Sequence, residues 1–279
     1  MKEKKHRLPT IKLNSFRISR LICGGNPVSG FSHHSREMDW EMMRYYTAEN
    51  IFSLLRECEK EGINTVCWRG DRHLIRILLE YYDKGGKIQW IAQTASEWKD
   101  IFANISMIKR LHPVAIYHHG THVDNMWHAG RIDEVRDVVR FIKDNGILAG
   151  IASHIPEVIE YAEEHNWGVD FYLACFYNLA RQFKPYQATL TKEIEEHFED
   201  KDREAMVKVI KGVNKPCFAF KILSAGRKCA SRKDLTEAFR FAFDNIKLTD
   251  GVVVGMFQKY RNQVQENARI IREILGNGG

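Results

Sequence analysis

The chain has 279 residues and a formal net charge of +6, with 44% hydrophobic and 28% charged residues. That balance belongs to a folded globular protein, and the length suffices to bury most apolar surface without disulfide or metal staples. The basic residues are dispersed, with no long Lys/Arg run, so nucleic acid is not an expected partner, and no apolar run approaches the ~18 residues of a membrane span.

The six cysteines (Cys23, Cys58, Cys67, Cys175, Cys217, Cys229) contain no close-spaced CxxC pair, and most lie in apolar runs. Free thiols acting as small hydrophobes, in a reducing interior, are the expectation. Residues 1–12 are basic but no apolar stretch follows them, so a secretory signal is not expected and a cytoplasmic location is.

Short apolar runs alternate with amphipathic stretches along the chain. The spacing predicts strands at 17–23, 63–68, 88–93, 114–117, 147–152, 169–176, 216–222 and 252–256. Helices are predicted at 47–62, where Thr47 is an N-cap candidate, and at 74–82, 98–111 and 132–143. Further helices are predicted from Pro156 to about 164, at 235–246 and at 262–275. Near-continuous apolar strands, each followed by a helix, imply a parallel sheet buried on both faces. Eight such units in one chain predict a single (β/α)8 barrel over 1–279, an α/β fold of the TIM type. The turn Gly24-Gly25-Asn26-Pro27-Val28 lacks the GxGxxG pattern of an open nucleotide-binding sheet. Two connections, 24–46 and 177–215, are long enough to be lids or surface decoration.

The order of several short motifs resembles the aldo-keto reductase superfamily over nearly the whole chain. Glu61-Gly62-Ile63-Asn64-Thr65-Val66 is similar to that family's entry to strand two, and Ile147 through His154 to its fifth strand. Phe176-Tyr177-Asn178-Leu179 resembles the ending of strand six, and Gly255 with Gln263-Val264-Gln265-Glu266-Asn267 the segment that holds the cofactor adenosine. The resemblance implies carbonyl reduction with NADP or NAD by an Asp, a Tyr, a Lys and a His. It also implies cofactor contacts from Ser153, His154, Gly255, Lys259, Gln263 and Asn267. Cys67 stands where the Asp belongs, Arg72 where the Tyr belongs and Thr94 or Ala95 where the Lys belongs; only the histidine is kept, as His119. An Arg holds its proton at ordinary pH and cannot replace a tyrosine acid.

Barrel strand ends converge on one face, which gathers Asn26, Cys67, Arg69, Thr94, His118, His119, His154, Asn178 and Lys221. Three readings stay open. The first is an NAD(P)-linked oxidoreductase of small carbonyl or anionic substrates, using His119, Arg72, Arg69, Cys67 and Lys221. The second is a metal-dependent enzyme holding zinc or iron on His119 and His154, with Asp124, His122 or Cys175 as a third ligand. The third is a non-catalytic barrel that binds a dinucleotide or another anionic small molecule, gripped by Arg69, Lys221, Arg227, Lys259 and Arg261. Oligomeric state is not legible.

Overall fold

The structure is a computed structural model that describes residues 8–181 and 196–276. Eight parallel strands close a barrel: β3 (Leu21–Gly24), β4 (Thr65–Arg69), β5 (Gln89–Gln93), β6 (Ala115–His118), β7 (Leu148–Ser153), β8 (Phe171–Cys175), β9 (Cys217–Phe220) and β10 (Gly251–Gly255). They run in chain order around the ring, and β10 returns to pair with β3 from Val252↔Leu21 to Gly255↔Gly24. The predicted eight-unit barrel is therefore the architecture of the chain.

The outer layer comprises α2 (Ala48–Lys60), α3 (Arg72–Asp83), α4 (Ile101–Ile108), α6 (Glu134–Asp144), α7 (Pro156–Glu164), α8 (Asp200–Gly212), α9 (Arg232–Asn245) and α10 (Gln263–Leu275). Their apolar stripes explain the arrangement. In α6, Val135, Val138, Val139 and Ile142 recur at helical spacing and are buried against the outer face of the sheet. Alternate strand residues point the other way and fill the interior: Ile22, Cys67, Ile91, Ala115, Tyr117, Ala152, Phe171, Leu173 and Phe218 form one cluster. Gly150 makes room within it, because a Cβ there would lie 2.6 Å from the Phe171 ring.

The structure departs from the predicted elements in four places. The run at 17–23 is two strands: β2 (Phe16–Ser19) pairs antiparallel with β1 (Thr10–Leu13), and only Leu21–Gly24 enters the barrel. Arg20 divides them, its side chain donating to Asp250 O at 2.8 Å and Lys247 O at 2.9 Å. Ile11, Leu13 and Ile18 of this hairpin join the interior cluster, and Asn64 and Gln89, at the starts of β4 and β5, both donate to Arg17 O. The hairpin thus plugs the N-terminal end of the barrel.

The connection at 24–46 contains α1 (Arg36–Tyr45), capped by the Ser35 hydroxyl on Met38 N and burying only Met42, which is too little for an apolar stripe to announce it. A second short helix, α5 (Gly120–His128), follows β6 directly, ahead of the predicted one. The connection at 177–215 carries α8, and its residues 182–195 lie outside those described.

Candidate functional site

Pleat parity decides which strand-end side chains meet. In β4, Thr65, Cys67 and Arg69 share the inward face; in β6 and beyond it, Ala115, Tyr117 and His119 do; across β7 the series runs to His154, and across β8 to Cys175. Arg69, His119, His154 and Cys175 therefore form the top inward layer at the C-terminal mouth. Cys67 lies one layer deeper, where its thiol donates to the Tyr117 hydroxyl at 3.4 Å. Burial pushes that thiol up to about 12, so Cys67 is part of the floor rather than a reactive group.

Thr94 organises the two adjacent histidines. Its hydroxyl oxygen accepts the His119 amide at 3.0 Å and shares a hydrogen bond with His118 Nδ1, also at 3.0 Å. His118 faces out of the barrel, is 5% exposed, and has its pKa depressed to about 3, chiefly by burial. His119 faces in. Burial and then the neighbouring Arg69 charge hold it well below the usual histidine range, so it is a neutral imidazole at ordinary pH. Its Nδ1 is buried and meets no protein partner. A buried polar atom without a partner costs stability, and at a barrel mouth it marks a place for a ligand atom.

His154 is the electrostatic opposite. Asp124, on the second turn of α5, accepts from its Nδ1 at 2.7 Å, from its backbone N at 3.2 Å and from the Ser153 hydroxyl at 2.6 Å. Burial opposes the His154 cation, but Cys175 and Asp124 outweigh it and raise the pKa to about 9. Asp124 engages Nδ1, and the ring also hydrogen-bonds with Cys175 beside it. The residue beyond β9, Lys221, is held in the left-handed region (φ 57°) and reaches His33 Nδ1 at 3.4 Å and Glu196 at 3.8 Å. His33, from the connection between β3 and α1, also pairs with Glu196 at 3.0 Å and with Asn26 Nδ2 at 3.0 Å. That connection thus leans across the mouth.

Several expected site residues sit elsewhere. Arg72 begins α3, is exposed, and lies 5.3 Å over the Trp98 ring, outside the inward ring of Arg69 and His119. Ser153 holds Asp124 instead of facing a ligand. Lys259 and Tyr260 are bound to Glu41 of α1. Gln258 accepts from Gln263 N and Val264 N, Asn262 accepts from Gln265 N, and Gln263 itself accepts from Phe257 N at 2.8 Å. Asn267 is 3% exposed inside the helix layer, and Gly255 has the Pro27 ring against it. The α10 N-terminus that the resemblance assigns to a dinucleotide already spends its donors within the chain. Among the described residues no group of three or more His, Cys, Asp and Glu side chains is arranged to hold a metal.

Asp124 and Cys175 appear in the sequence only as possible metal ligands. The spacing of Asp124 to His119 did place it one helical turn past a strand end, which is the signal that was available.

No family model and no curated protein matches the chain. Solved structures do match. An aldo-keto reductase from Bacillus halodurans in its holo form superposes with a TM-score of 0.58 at 12% identity, over 95% of this chain and 90% of that one. The apo form of a protein designated Gox0644 gives 0.55 at 8% identity, over 96% and 94%. A truncated 3-deoxy-D-arabino-heptulosonate 7-phosphate synthase from Thermotoga maritima gives 0.54 at 11% identity, over 97% and 92%. At such identities the likeness is one of fold. The chain is a TIM-barrel protein similar in shape to an aldo-keto reductase and to barrels of other chemistry. No helix among the described residues is long and apolar enough to cross a membrane.

Proposed function

We propose that the protein is an enzyme acting on a small anionic carbonyl compound at the C-terminal mouth of its barrel, by a catalytic set unlike that of the aldo-keto reductases. The observation that carries this is the buried, unpartnered His119 Nδ1 set among Arg69 and the cationic His154. A neutral imidazole donates Nδ1–H to a carbonyl oxygen without surrendering a proton too early. Two fixed cations nearby then stabilise negative charge as it develops on that oxygen. Arg69, ion-paired with Asp71 and Glu97, and Lys221, beside Glu196, would exchange those carboxylates for the anionic end of the substrate.

Isothermal titration with glyoxylate, pyruvate and inorganic phosphate tests the reading. Binding by the wild type is expected to weaken at least about tenfold in Arg69→Ala, and the binding enthalpy of the two oxo acids, but not of phosphate, to change in His119→Gln. Absence of binding by all three probes, or binding indifferent to both substitutions, refutes it. Quenching of tryptophan fluorescence by NADPH would return the dinucleotide reading.

A further inference from the structure

Cys175, His154 and Asp124 stand in a line of contact that no resemblance assigns. Ser153↔Ala174 is the last pair of the β7–β8 ladder, so the residues that follow, His154 and Cys175, lie side by side at the mouth. Both belong to the inward parity. The acid is supplied by a different element, α5, which begins immediately after His119. Asp124 is 1% exposed, and its three hydrogen bonds from Ser153 and His154 leave it no freedom to turn away. A buried strand cysteine is ordinarily an inert apolar residue, and Cys67, on the same inward face, behaves so against Tyr117. Cys175 differs in its neighbour: an imidazole whose far nitrogen is tied to a buried carboxylate.

We propose that Cys175 is a nucleophile that reacts as the thiolate of an ion pair with protonated His154, that Asp124 positions that imidazolium, and that the substrate is a thioester or ester of a small acid. This rests on the reading of the mouth as a carbonyl site, but not on the anion-binding roles of Arg69 and Lys221. In the first step the Cys175 thiolate, its proton already resident on His154, adds to the acyl carbon, forming the C–S bond and moving the carbonyl π pair onto oxygen. His119 Nδ1–H faces that oxyanion. The intermediate collapses with loss of the thiol or alcohol, which leaves with the proton from His154. Water, deprotonated by the now neutral His154, then adds to the acyl carbon; the C–S bond breaks and the sulfur leaves as the thiolate beside the reprotonated His154. The sum is ester or thioester plus water giving acid plus thiol or alcohol, with no oxidant or reductant.

The triad is tested on the full chain with two uncharged probes. Peptide mapping after limiting iodoacetamide at pH 7 should find Cys175 alkylated first, ahead of Cys229, which is the most exposed of the six cysteines. The Cys175 rate should fall at least about tenfold in His154→Gln and in Asp124→Asn, provided circular dichroism shows both folded. With p-nitrophenyl acetate, a burst of one nitrophenol per chain and an acetyl group on Cys175 are expected, both absent in Cys175→Ser. Alkylation of Cys229 with Cys175 untouched, or an equal Cys175 rate in folded His154→Gln, overturns the proposal. Because neither probe is an anion, failure of the oxo-acid titrations alongside a positive alkylation result would remove the anion site and leave the triad standing.

Discussion

Replacing Asp124 with Asn is the sharpest physical test of the mouth, because it removes one charge and keeps a side chain of the same shape. His154 has a folded pKa of about 9 against 6.5 for an unfolded histidine. At about 1.4 kcal/mol per pH unit, that difference corresponds to about 3 kcal/mol of stability. The folded value is the raised one, so the contribution is complete below pH 6.5 and is lost as pH climbs from 6.5 through 9. That figure is the net of burial, which opposes the cation, and of Cys175 and Asp124, which favour it. Asp124→Asn should therefore be more destabilising at pH 6 than at pH 9.5, by an amount on the order of that figure. Urea unfolding at the two pH values reads the difference, and the His154 C2–H resonance should titrate at a lower pH in the variant than in the wild type. An equal loss of stability at both pH values, with an unmoved His154 titration, would show that the Asp124–His154 contact is a neutral hydrogen bond and would refute the electrostatic account of the mouth.

Three other outcomes follow from the geometry. His118 and His119 are buried neutral, with folded pKa values below 6.5, so stability is constant above that pH and falls as pH drops beneath it. His118, at about 3, contributes a loss of about 2 kcal/mol between pH 6.5 and 5 and His119 adds to it in the same direction; an unfolding free energy unchanged over that interval would contradict their assignment as neutral. Gly150→Ala places a Cβ 2.6 Å from the Phe171 ring in the barrel interior and should cost about 1–3 kcal/mol in chemical denaturation, while full stability would mean that Phe171 yields freely. Arg272→Ala removes a guanidinium 2.9 Å from Glu61, a carboxylate only 1% exposed, and should lower stability by about 3 kcal/mol at neutral pH. That deficit should shrink as Glu61 is protonated in acid; a deficit independent of pH would assign it to lost packing.

The barrel was legible because parallel strands covered on both sides are nearly continuous apolar runs, and Val252 to Val254 or Ala115 to Tyr117 can hardly be anything else. The hairpin was not, because Ile18 and Ile22 both face the interior cluster and their common parity conceals the break at Arg20. Helices α1 and α5 escaped notice for lack of an apolar stripe, and with α5 went the setting of Asp124. At the mouth, parity alone placed His119 inward beside Tyr117, and strand ends alone supplied Arg69, His154 and Lys221. Arg72 was misplaced by following the resemblance rather than the local chemistry. Asp71 caps α3 by accepting from Leu74 N at 2.8 Å, so the helix has begun at Arg72 and that side chain lies over the Trp98 ring. Ser153 was likewise given to a cofactor, although a hydroxyl beside a buried aspartate binds the aspartate first.

The hairpin of β1 and β2 turns the barrel into a vessel with one door. With Ile11, Leu13 and Ile18 stoppering the far end, a molecule held in the mouth meets the solvent at the rim, where His33 and Lys221 meet Glu196. If the proposed chemistry takes place there, substrate and product share that approach, and exchange at the rim, as much as bond-making at its base, would govern the pace of the cycle.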